Sequence, residues 1–140
     1  MSELYEKSTM KLELDKVLQM LASCAGSQDG KTACLSLHPV SDLEDVRERQ
    51  EETTAACKMS AVQGNLSFGD VKNVDDALER ADRGGSLSTT ELLRIAGVLR
   101  SARTVKSYWN EDEAPNVLTP LFQCLTPNKY LEDRITGAIL

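Results

Sequence analysis

Gly26-Ser27-Gln28-Asp29-Gly30-Lys31-Thr32 is the stretch of this sequence whose residue types come nearest to phosphate chemistry. A P-loop cradles phosphate oxygens on the amides of a glycine-rich turn, with a Lys on the phosphates and a Ser or Thr hydroxyl on Mg. That motif needs four residues between its glycines. Here there are three, so the correct register puts Ala25 at the first position. The loop must also follow a buried strand, whereas the residues before Gly26 carry a helical period. The stretch is predicted to be a helix–helix turn with no nucleotide site.

Cys34 and His38 are four apart and have the types of a thiolate–imidazolium pair. His38 is the only histidine, which excludes a multi-histidine metal site. Leu37-His38-Pro39 lies at a helix exit, with no Asn or Asp placed to orient the ring, so no catalytic role follows. Glu44, Asp45, Glu48, Glu51 and Glu52 resemble a metal stripe, but the interleaved Arg47 and Arg49 mark an exposed helix face with ordinary ion pairs. Arg94, Arg100, Arg103 and Lys106 form the best basic cluster. At helical spacing they flank an apolar face, which makes them rim residues. Cys24, Cys34, Cys57 and Cys124 include no CxxC pair and read as small buried hydrophobes of a reduced cytoplasmic protein. The expected catalytic, cofactor-binding and metal residues are therefore none, and the chain is expected not to be an enzyme.

The composition agrees. Of 140 residues, 41% are hydrophobic, 27% charged and only 4% aromatic. That is enough apolar material for one domain with an aliphatic core suited to helix-on-helix packing. A net charge of −6 argues against a dominant phosphate-binding surface. No apolar run reaches the roughly 20 residues of a membrane span, and no signal peptide opens the chain.

The elements that position these residues all have a helical period. Leu14, Val17, Leu18, Leu21 and Ala25 form one stripe, with Gly26 as its left-handed cap. A shorter helix is expected over Gln28 to Leu37, closed by Pro39. Ser41 and Glu44 are spaced as a capping box, opening a helix to Gly64 whose thin stripe suits the bundle edge. After an irregular stretch over 64–70, Val74, Ala77, Leu78 and Ala81 mark a short helix stopped by Gly84-Gly85. A second capping box, Ser88 and Glu91, opens the strongest helix, with Leu92, Ile95, Ala96, Leu99, Ala102 and Trp109 on its main face. Val98 and Val105 widen that face, and Ser101 and Thr104 lie opposite. Lys106 is expected to lay its stem on the core with its ammonium in water. Glu111-Asp112-Glu113 is an acidic connector. Pro115 suits the first turn of a helix carrying Leu118, Leu121 and Phe122, and Thr126-Pro127 opens the last, with Leu131, Ile135, Ala138 and Ile139. That stripe is still running at Leu140, so more chain is expected. The fold class is all-α, an irregular multi-helix bundle forming a single segment over 1–140.

Several residues in order resemble the N-terminal region of the bacterial MutS paralogue family called MutS-two. They are Leu12-Glu13 with Asp15-Lys16, Leu18, Leu21-Ala22, Gly30-Lys31, Leu37, Pro39, Asp42-Leu43, Glu52-Thr53 and Ala55. Gly69-Asp70-Val71, Val74, Ala81, Gly84-Gly85, Leu87, Glu91-Leu92-Leu93, Ile95, Leu99-Arg100, Leu131-Glu132 and Ile135 continue them. The resemblance implies the first part of a MutS core-and-lever region. It implies a homodimeric parent ATPase, using ATP and Mg, that acts on branched DNA, restrains recombination or acts on stalled ribosomes. The parent's ATPase and Smr nuclease domains would lie beyond Leu140. This chain's partners would be the rest of the parent, with no membrane and no small-molecule substrate. The alternative is a free-standing helical adaptor that binds another protein through an apolar groove.

Overall fold

The computed structural model describes residues 3–69, 71–109 and 114–139. The acidic connector Glu111–Glu113, Asp70 and Leu140 lie outside the described residues, so the connector and the running of the last stripe through Leu140 lie there too. The described residues form eight helices and no strand, as the all-α reading requires. Among them no helix is long and apolar enough to cross a membrane. The chain divides into two compact units, Met1–Pro39 and Val40–Leu140.

In the first unit, α1 (Glu3–Lys11) packs on α2 (Leu14–Cys24), which packs on α3 (Gln28–Leu35). α1 was not foreseen. It reverses into α2 through Glu13 at φ 53, a left-handed conformation unusual for a residue with a Cβ. The predicted α2 stripe splits: Leu14, Leu18 and Ala22 turn inward, while Val17 and Leu21 are exposed. Gly26 is not the cap either. Ala25 ends the helix in an extended conformation, with φ −75 and ψ 133.

The second unit holds α4 (Leu43–Gln63), α5 (Asp75–Asp82), α6 (Thr89–Tyr108), α7 (Thr119–Gln123) and α8 (Lys129–Ile139). Its core is small: Ala77, Ala96, Val105, Phe122 and Ile135, with Thr119 and Glu132 buried among them. α6 is the central element, packed along α8 and against α7. It starts where expected, because the Ser88 hydroxyl accepts from the Glu91 amide while the Glu91 carboxylate accepts from the Ser88 amide.

Three other boundaries move by a few residues for identifiable reasons. Asp42, not Ser41, caps α4, its Oδ1 accepting from the amides of Glu44 and Asp45 at 3.0 and 3.2 Å. Pro120, not Pro115, occupies the first turn of α7, where a missing amide hydrogen costs nothing. Asn128 opens α8 by accepting from the Leu131 amide at 3.0 Å, so Thr126-Pro127 precede the helix.

α5 ends in a Schellman motif. The Gly85 amide donates to the Arg80 carbonyl at 2.8 Å and the Gly84 amide to the Ala81 carbonyl at 2.9 Å. This needs Gly84 at φ 80, and it brings the Gly85 Cα against Arg80. A Cβ on Gly85 would lie 2.6 Å from Arg80 Cγ and 2.9 Å from its carbonyl oxygen.

Two hydroxyls tie the irregular 64–69 segment to α6. Ser101 Oγ donates to the Phe68 carbonyl and Tyr108 OH to the Gly64 carbonyl, each at 2.6 Å. Ser101 is thus engaged, although its side of the helix reads as a solvent face. In urea denaturation, Gly84→Ala should cost about 1–2 kcal/mol from backbone strain alone, with Gly85→Ala costing more because of the clash. Ser101→Ala should cost about 1 kcal/mol through its lost hydrogen bond, and Thr104→Ala no more than about 0.5 kcal/mol.

Candidate functional site

The chemistry suggested by residue types is not assembled. Ser27 caps α3, its Oγ accepting from the Gly30 amide at 3.0 Å, and a Cβ on Gly30 would stand 3.0 Å from that oxygen. Gly30 therefore makes room for a helix cap, and α2 rather than a strand precedes the turn. His38 is exposed beyond the end of α3, and Cys34 is half-buried within it. Cys24, Cys57 and Cys124 are exposed, which corrects their reading as buried hydrophobes. Glu44, Asp45, Glu48 and Glu51 lie exposed on α4, and no metal-binding group of three or more His, Cys, Asp or Glu occurs among the described residues.

The basic cluster on α6 is where the molecule departs most from its pattern. Glu132 of α8 is only 4% exposed, and two arginines of α6 converge on it. Arg103 donates side-on, Nε to Oε2 and Nη2 to Oε1, each at 3.1 Å. Arg100 donates from Nε to the same Oε1 at 3.0 Å. Arg100 and Arg103 are one turn apart, so one buried carboxylate holds both. Neither is a passive rim residue. The Arg103 hydrogen bonds, with those of Arg100, hold the Glu132 carboxyl below the ordinary carboxylate range, although burial pushes the other way.

Lys106 is tied down as well. Its Nζ donates to the Phe122 carbonyl at 3.0 Å and lies 5.4 Å from the Trp109 ring centre, so its ammonium is held by the protein as well as lying at the rim. Trp109 stacks on Phe122 with ring centres 6.1 Å apart. At the other end of α6, Arg80 forks onto Glu91, Nη2 to Oε1 at 2.7 Å and Nη1 to Oε2 at 3.3 Å. That fork, then the Ser88 amide and hydroxyl, draw the Glu91 carboxyl down to about 2. α6 is thus anchored to α5 at its start, α8 along its middle and α7 at its end. The arrangement is a fastened strut and not a cleft.

The sequence pointed only faintly to this clasp. Glu132 occupies the Ile135–Ile139 stripe of α8, and a carboxylate on an apolar stripe calls for cations facing it. Arg100 and Arg103, three apart on α6, supply them.

No family model matches this chain. Proteins named Endonuclease MutS2 do match it. The one from Agathobacter rectalis is 39% identical over 132 residues, covering 92% of this chain and 17% of that protein. Those from Acetivibrio thermocellus and Ruminiclostridium cellulolyticum are 37% and 36% identical, each over 96% of this chain and over 18% and 17% of the relative. The chain is a segment of a MutS-type protein, homologous to the N-terminal region of MutS2. It spans about one sixth of the length of these relatives.

Glu132→Gln should destabilise the second unit by about 1–3 kcal/mol, since charge-assisted hydrogen bonds weaken while both arginines keep access to water. A depressed folded pKa stabilises fully above the unfolded carboxyl value of about 4.3 and less as pH falls through the folded value. The clasp should therefore be intact at neutral pH and weaken below about pH 4.5. Urea melts across that window should show a steeper acid loss for the unmodified chain than for Glu132→Gln.

Proposed function

We propose that this chain is a non-catalytic structural and coupling segment of a MutS-type ATPase. It would carry movement between the nucleotide-driven part of the parent and the part that grips branched DNA or a stalled ribosome. The observation behind this reading is the fastening of α6. A helix of twenty residues spans about 30 Å at 1.5 Å per residue. Tied to α5, α8 and α7 through side chains of fixed geometry, such a helix moves as a body and passes a displacement from one end to the other. ATP and Mg, homodimeric assembly and any nuclease activity belong to the parent in this reading. The chain itself takes no cofactor and no small-molecule substrate, and it works in the bacterial cytoplasm.

Two measurements test the two halves of the proposal. Calorimetric titration of the chain with Mg-ATP should be flat. Saturable micromolar binding that Lys31→Ala abolishes would overturn the non-catalytic half. In the parent protein, Glu132→Gln should leave basal nucleotide turnover intact while blunting its response to branched DNA or ribosomes. A full response from a variant whose urea melt shows a loosened clasp would overturn the coupling half.

A further inference from the structure

α4 is helical for 21 residues, yet none of them is buried. Among the described residues, every buried side chain of the second unit comes instead from α5, α6, α7 or α8. α4 therefore belongs to the unit without sharing its core. A segment with few buried contacts opens at less cost than one inside the core.

A strap fastens its end to α6. Beyond α4 the chain continues as the irregular segment 64–69, held by two hydroxyls. Tyr108 OH donates to the Gly64 carbonyl and Ser101 Oγ to the Phe68 carbonyl, each at 2.6 Å. Ser101 and Tyr108 are two helical turns apart, so both bonds lie on one face of α6. No residue of the strap is buried, and Phe68 is 50% exposed, so the two hydrogen bonds carry much of its attachment. Its ends are Gly64 at φ 83 and Gly69 at φ 68, where a Cβ would meet nothing within 4 Å. These glycines serve backbone rotation and not close packing.

We propose that the Tyr108 and Ser101 hydroxyls form a latch, and that α4 with 64–69 leaves α6 as one cooperative unit while α5 to α8 stay folded. Opening breaks two exposed hydrogen bonds, each of small net strength in water. It leaves intact the ion pairs of Glu91 and Glu132 that tie α6 to α5 and α8. Once released, α4 loses its helix, because a helix of this length is only marginally stable alone. The latch lies outside the contacts that fasten the strut, and it stands whether or not the coupling role holds.

Amide hydrogen exchange of the chain at neutral pH, read in peptides from α4, α6 and α8, tests this. Amides in the middle of α4 should exchange at least about tenfold faster than those in the middle of α6. Tyr108→Phe and Ser101→Ala each remove one latch hydroxyl. Each should speed α4 exchange about fivefold, the factor for one hydrogen bond of typical net strength. Thr104→Ala, whose hydroxyl donates within α6 to the Arg100 carbonyl, should leave α4 unchanged. Glu132→Gln should speed exchange in α6 and α8 and leave α4 unchanged, because its clasp survives the opening of the latch. If α4 exchanged at the rate of α6, or sped up with Glu132→Gln as α6 does, the unit would be one cooperative fold and the proposal overturned. Exchange in α4 that ignored both hydroxyl deletions would overturn it equally.

Discussion

A carboxylate buried without cations loses its hydration with nothing in return, and the usual outcome is that the group neutralises or the fold rearranges. Glu132 avoids both because α6 presents two guanidiniums one turn apart. The constraint runs in both directions. Arg100 and Arg103 face Glu132 only if α8 lies along α6 in one register, so the clasp selects that register from those the apolar residues would allow. The buried apolar side chains of α6 and α8 are few: Ala96, Val105 and Ile135. In so small a core, directional interactions carry more of the specificity than shape alone. The same economy appears at each end of α6, where Arg80 on Glu91 and Lys106 on Phe122 set the neighbouring elements by hydrogen bonds.

The helices differ in how completely they bury what they contain. α6 has neighbours along its length. α2 and α4 show Val17, Met20, Leu21 and Val62 to the surface, each more than two-fifths exposed. Exposed apolar residues grouped on helix faces mark surfaces made for contact.

Features written locally could be read in the sequence. The Ser88–Glu91 capping box, the Gly64 and Gly84 stops and the all-helical class follow from interactions within a few residues. Caps shifted where two signals competed, as Asp42 prevailed over its neighbour Ser41 and Pro120 over Pro115. Helical period assigns a face but not a partner, so Val17 and Leu21 read as core although nothing in their unit covers them. The clasp was least visible. Arg100 and Arg103 are some thirty residues from Glu132 in the chain, and an arginine bound for a buried carboxylate looks the same in sequence as one bound for water. Lys106 and Ser101 were not foreseen as anchors for the same reason, their acceptors being the carbonyls of Phe122 in α7 and Phe68 in the 64–69 segment, both distant in the chain.

The joining of α6 to α8 rests on Glu132 and its arginines acting as one unit. A double-mutant cycle on Arg103→Ala and Glu132→Ala, read by urea denaturation at neutral pH, measures this directly. A coupling energy of about 1–3 kcal/mol is the expected result, within the range for residues in one hydrogen-bonded network. Costs that add to within about 0.5 kcal/mol, as for independent sites, would contradict it.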